Sequence, residues 1–164
     1  MIMKRILYFL IAALPLVAVT ACNDDDDDLP DVSFTVDFSG ASRVGDTIYV
    51  AQGDTLSIDA VRVTNNESSK PAIITYVAYF WDYLRVGATA DAADNFAFDI
   101  YIDPATPTGR HLLELYAPVY AVDKSPAFAL LAYDVKVVAS ADDIPSGGTS
   151  TLTATPRLST TDRK

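Results

Sequence analysis

The chain has 164 residues, 12 Lys and Arg against 22 Asp and Glu, and a net charge of −10. So acidic a surface is a poor partner for nucleic acid or anionic headgroups, which depend on clustered Lys and Arg, and no basic patch occurs along it. One cysteine and one histidine exclude an intrachain disulfide and leave too few ligands for a structural zinc site. The first predicted element is a leader spanning 1–21. Lys4 and Arg5 form a positive n-region, Ile6 to Val19 an apolar stretch of 14 residues, and Val19-Thr20-Ala21 the small positions ahead of Cys22. A permanent membrane-spanning helix needs about 20 apolar residues, so this stretch reads as a cleaved segment.

Val19-Thr20-Ala21-Cys22 resembles the lipobox of bacterial lipoproteins, with Val and Thr where Leu and Ser or Ala are commoner. The resemblance implies that the Cys22 thiol is alkylated with diacylglycerol and becomes the mature N-terminus, so that the membrane is a partner through a lipid anchor. Each buried methylene contributes about 0.8 kcal/mol, which is why two or more chains hold where one exchanges. The competing reading is a secreted protein with a free thiol. Asn23 and the run Asp24, Asp25, Asp26, Asp27 and Asp28 follow. Like charges in a block repel and stay solvated, and 22–30 is expected to be an acidic tether. The run lacks the alternate spacing and turn glycine of a calcium loop. Its position looks like the surface-export signal of Bacteroidetes-type lipoproteins, which implies the outer face of the outer membrane. Loss of 1–21 removes Lys4 and Arg5 and leaves 10 basic against 22 acidic side chains over 143 residues, the size of one domain.

From 31 to 139 the pattern is that of strands. Val32, Phe34, Val36 and Phe38 alternate with Ser33, Thr35 and Asp37, which places four apolar side chains on one face. Gly45-Asp46-Thr47 and Gly53-Asp54-Thr55 punctuate turns before further alternations. In Leu56 to Thr64 the apolar set changes phase, from Leu56, Ile58 and Ala60 to Val61 and Val63, which predicts a bulge near Ala60. After a polar loop at 65–71, Ala72 to Tyr83 is apolar on both faces and reads as one central strand. Phe96, Phe98, Ile100 and Ile102 alternate again, and runs at Arg110 to Ala117 and Phe128 to Val138 complete seven or eight strands. With no helical pattern among them, the fold class is all-β, an antiparallel β-sandwich.

The order of features resembles bacterial immunoglobulin-like domains: Gly53-Asp54-Thr55-Leu56 leading into the second strand, Trp81 on the third, and Thr108 to Leu115 in the penultimate position. The resemblance implies an Ig-like sandwich without the paired cysteines of antibody domains. A transthyretin-like pairing has the same strand statistics and stays open. Beyond Ser140, Asp142, Asp143, Pro145, Gly147, Gly148 and many hydroxyl residues suggest that 140–164 is a flexible Ser/Thr-rich tail.

Material for catalysis is sparse. His111 is the sole histidine, so any Ser-His-Asp arrangement must include it, and Asp91, Asp94, Asp99 and Asp103 are the candidates for a carboxylate pair. Neither set has the spacing of a reaction centre, and no cofactor is expected. Tyr79, Trp81 and Tyr83 stand two residues apart, which on a strand puts three rings on one face, a platform for sugar or for a partner's apolar patch; the favoured reading is that Tyr79 and Trp81 fill the sandwich core and Tyr83, at the strand end, is the exposed member. Thr47 and Thr55 sit in Asp-Thr-aliphatic triplets that look like the O-glycosylation acceptor of Bacteroidetes-type exported proteins. Asn66-Glu67-Ser68 matches the N-linked sequon and is read as accidental. The expected function is that of a surface-exposed lipoprotein acting as a non-catalytic binding or assembly module for a glycan, a host protein or an envelope partner. A fimbrial subunit or an accessory component of a glycan-uptake system is the alternative, and a small carboxylate-based hydrolase the rival of a different class.

Overall fold

A computed structural model describes residues 28–67 and 69–160. Cys22 and Asp24 to Asp27 therefore lie outside the described residues, while Asp28 is within them. In chain order the strands are β1 (Val32–Ser39), β2 (Ser42–Val44), β3 (Thr47–Ala51), β4 (Thr55–Asn65), β5 (Ala72–Ile74), β6 (Val77–Trp81), β7 (Leu84–Thr89), β8 (Phe98–Tyr101), β9 (Gly109–Ala121), β10 (Ala127–Val138), β11 (Thr151–Ala154) and β12 (Arg157–Ser159).

One sheet has the order β11-β1-β4-β8 and the other β2-β3-β10-β9-β6-β7. All pairs are antiparallel except β3 and β10. The first strand of the chain is thus shared: β1 belongs to one sheet, and after Gly40 the chain crosses so that β3 runs parallel to the last long strand of the other. Gly40 has φ 70°, and a Cβ there would lie 1.9 Å from the Thr55 carbonyl oxygen, so the crossing requires glycine. Strands β1, β4, β8 and β11 on one side, and the remainder on the other, make an immunoglobulin-like arrangement. This is the pairing that the sequence left open.

The alternations forecast the core. Val32, Phe34, Val36 and Phe38 are all 1% exposed or less, and they share one core with Leu56 and Ile58 of the same sheet and with Tyr79, Leu113 and Leu115 of the other. Side chains of this size contribute roughly 1.5–3 kcal/mol each on burial. The bulge expected near Ala60 is present: Asp37 pairs with Ala60 and Phe38 with Ile58, which leaves Asp59 as the extra residue. Ala60 and Val61 are then both buried.

Three expectations are corrected. Ala72 to Tyr83 is not one strand. Ile74 faces Val119 while Ala78 faces Tyr116, so one side advances four residues against three, and β5 and β6 are separated by Thr75 and Tyr76. Strand β7 was not anticipated at all, because its residues are mostly exposed and carry no alternation. The segment 140–164 is not wholly a tail: a single 3-10 turn at Ala141–Asp143 leads on to β11, which pairs with β1, and then to β12, which pairs with β10. Leu152 is 5% exposed and belongs to the core. Outside the core, Thr151 Oγ1 donates to Asp37 at 2.9 Å, and hydrogen bonds first from Arg62 and then from Thr151 hold the Asp37 carboxyl below its usual range. The open backbone of the β1 and β10 edges, not apolar content, orders this segment.

The acidic tether also ends earlier than Pro30. The Ser125 amide donates to the Asp28 carbonyl oxygen at 3.0 Å, the Ser125 hydroxyl donates to the Asp28 carboxylate, and Pro30 is buried. Asp28 is thereby fastened to the β9–β10 loop. Loop 66–71 lies at the same end, where the Asn66 amide donates to the Asp31 carbonyl oxygen.

Candidate functional site

The opposite end carries the β6–β7 hairpin. Trp81 pairs with Leu84, so Asp82 and Tyr83 alone make the connection. Their φ values of 47° and 68° are those a two-residue hairpin turn requires; aspartate suits the first position, but Tyr83 stands where such a turn favours glycine. A non-glycine residue held in this region costs of order 1–3 kcal/mol and persists only where its surroundings over-determine it.

Here the surroundings act through Asp82. Its amide donates to the Leu112 carbonyl oxygen at 2.9 Å, and the Leu112 amide donates back to Asp82 Oδ1 at 2.9 Å. Asp82 Oδ2 lies 2.7 Å from His111 Nδ1, and His111 Nε2 lies 2.8 Å from the Pro107 carbonyl oxygen. Both ring nitrogens thus face oxygen atoms able to accept, an arrangement that favours the doubly protonated ring. Burial on its own would push the imidazole down, but the hydrogen bonds to Asp82 and Pro107 and the carboxylate charge outweigh it and hold the group above its ordinary value. Trp81 stacks on His111 with ring centroids 5.2 Å apart. His111 thus joins the hairpin, the 102–108 loop and β9, with both nitrogens engaged.

The hairpin so held exposes apolar side chains: Tyr83 is 69% exposed, Leu84 73% and Val86 44%. Val86 is pushed outward because Tyr79 pairs with Gly87 and Phe80 with Arg85, which leaves it unpaired as a bulge. Beside the turn, Tyr83 also borders a cleft of about 440 Å³ over the outer face of β9 and β10, with Leu112, Glu114, Leu130 and Arg157 among its walls.

The three rings predicted as a platform are separated. Tyr79 is fully buried and stacks on Phe98, with centroids 4.6 Å apart and planes 7° apart. Its hydroxyl donates to the Phe96 carbonyl oxygen, and burial pushes the phenol up. Trp81 is half-buried against His111, and Tyr83 leaves the alternation because the left-handed turn begins at Asp82. The platform reading fails because a strand's two-residue period ends where the hairpin turns.

The aspartates do not converge on a reaction centre. Asp91 Oδ1 accepts from the amides of Ala93 and Asp94, and Asp103 Oδ1 from that of Ala105, each a side chain closing its own turn. Asp99 sits on β8 opposite Ser57. Among the described residues no group of three or more His, Cys, Asp and Glu is placed to hold a metal ion. Thr47 and Thr55 are both half-buried at strand starts, Thr47 beside Tyr49, Arg110, Asp134 and Lys136, and Thr55 opposite Tyr101. Asp82, Leu84 and Val86 were missed from sequence. The available signal was a two-residue gap between Trp81 and Leu84 with a turn-forming aspartate in it.

No protein-family model matches the chain, and no curated protein matches it. Among solved structures it is similar to a chain described as "Structures of Clostridium thermocellum CbhA fibronectin(III)-like modules", at 16% identity over 61% of this chain and 93% of that one, with a TM-score of 0.33. At that score the fold class rests on the strand order given above.

Proposed function

We propose that the chain is a lipid-anchored protein of the outer membrane, exposed at the cell surface, whose sandwich is a non-catalytic binding module that engages a protein partner through the β6–β7 hairpin. The observation that carries this reading is the strained turn. Two non-glycine residues are held at positive φ by the Asp82 and His111 bonds, and the outcome is that Tyr83 and Leu84 stand in solvent instead of the core. Strain retained at an exposed apolar tip suggests a contact made there. Aliphatic Leu84 and Val86 beside one ring suit a protein surface better than a sugar, since the ring platform is not assembled.

Anchoring at Cys22, export directed by Asp24 to Asp28, and glycosylation at Thr47 and Thr55 belong to the same proposal. The fimbrial alternative has less support, because β11 and β12 of the chain itself already pair with β1 and β10, two places where an added strand would otherwise dock. The test is photo-cross-linking on intact cells with a benzoyl-phenylalanine at Leu84, and at Tyr101 on the outer face of β8 as control. A discrete cross-linked species at 84 and none at 101 is expected. No species at 84 overturns the hairpin as the contact.

A further inference from the structure

We infer that the end of the sandwich opposite the hairpin rests on the lipid surface through an apolar rim formed by Pro71, Ile73, Tyr120 and Val122. The inference rests on the proposal of a lipid anchor at Cys22. Six residues lead from Cys22 to Asp28, and a fully extended chain spans at most about 3.6 Å per residue, or roughly 20 Å in all. Asp28 is bound by both the amide and the hydroxyl of Ser125. The β9–β10 loop is therefore kept within that distance of the acyl chains, and loop 66–71 is brought with it by the Lys70–Asp123 and Lys124–Glu67 ion pairs at 2.7 and 2.9 Å.

The rim has the chemistry for such a neighbour. Ile73 and Tyr120 are cross-strand partners facing outward, and Ile73 is 54%, Val122 50% and Tyr120 40% exposed. With Pro71 they border a shallow cleft of about 240 Å³. Tyrosine, with an apolar ring and a polar tip, suits the headgroup level. In a chain of net charge −10, the two loops pair Glu67 and Asp123 with Lys124 and Lys70, so their charges cancel. Asp28 and Asp31 are nearby, bonded by Ser125 and Asn66. A patch this small would not recruit a soluble protein to a bilayer, but a tether of six residues makes the contact intramolecular and raises its effective concentration. The hairpin is then directed away from the membrane.

The test uses the full chain acylated at Cys22 in phosphatidylcholine vesicles with and without brominated acyl chains. Val122→Cys or, as control, Leu84→Cys supplies the one free thiol for a fluorophore, both positions being exposed. Quenching of about twofold or more at 122 and none at 84 is expected, since interfacial side chains sit roughly 5–10 Å into the headgroup and acyl boundary. A chain that floats with the vesicles yet shows no quenching at 122 overturns the rim contact and leaves the anchor standing. If mass spectrometry of the chain purified from its own cell envelope finds Cys22 unmodified, both the anchor and the rim contact are overturned.

Discussion

Asp82 grips two successive residues of β9, His111 through one carboxylate oxygen at 2.7 Å and the Leu112 amide through the other at 2.9 Å. A hairpin turn is thus locked to the neighbouring strand by a single side chain, and the lock depends on the charge of an imidazole. The folded value of His111 lies above its ordinary one, so its contribution to stability is complete below about pH 6.5, the usual unfolded value. It is lost as pH rises through the higher folded value. Urea midpoints of the wild type and His111→Gln should differ most near pH 6 and converge toward pH 9. A difference constant across that range would mean that the ring is not an imidazolium.

Asp82→Ala removes the acceptor for His111 and for the Leu112 amide together. Hydrogen bonds to charged groups are worth about 1.5–3 kcal/mol, and a loss of that order is expected in chemical denaturation. In a double-mutant cycle with His111→Gln the two losses should fall short of additivity by about 0.5–3 kcal/mol, the range for residues in one network. Additive losses would dissolve the proposed lock. Tyr83→Ala, by contrast, should leave stability within about 0.5 kcal/mol, as exposed substitutions do, while abolishing the cross-link expected from position 84.

Gly87 admits the Phe98 ring between β7 and Tyr79. A Cβ at 87 would lie 2.2 Å from Phe98 Cζ, and that ring is already stacked on Tyr79 at 4.6 Å, so it cannot retreat. Gly87→Ala is expected to cost about 1–3 kcal/mol through overpacking. Phe98→Leu should relieve part of that cost in the double variant. Thermal melts of the four proteins check both statements, and an unshifted Gly87→Ala midpoint would show that the ring moves freely.

The long core strands were legible because their period of two is written in large apolar residues: Val32 to Phe38 in β1, and Leu56 to Val63 in β4 with the phase change that marks Asp59. What escaped was written in other terms. The β6–β7 turn follows Asp82 with Tyr83 where a hairpin signal would have glycine, so β7 had no clear start, and the alternation of Tyr79, Trp81 and Tyr83 ran on past the point where the strand stops. The bond that the backbone amide of Leu112, 30 positions away, donates to the Asp82 carboxylate replaces the local propensity. The site was hidden because its determinants are non-local.

The same reasoning explains the C-terminal segment and yields its test. Composition from 140 onward predicts a tail, since Ile144, Leu152 and Leu158 among so many hydroxyl residues cannot repay the ordering of their neighbours. Leu152 nevertheless sits in the core at 5% exposure, because the backbone of β11 pairs with β1 from Thr151 to Ala154 and the Thr151–Asp37 bond fixes the register. Leu152→Ala is expected to destabilise by about 2–5 kcal/mol, the cost of a leucine cavity, and to lower the urea midpoint accordingly. Thr153→Ala, on the exposed face of the same strand, should cost no more than about 0.5 kcal/mol. Were Leu152→Ala as mild as Thr153→Ala, β11 would contribute no core, and the sandwich would end at β10.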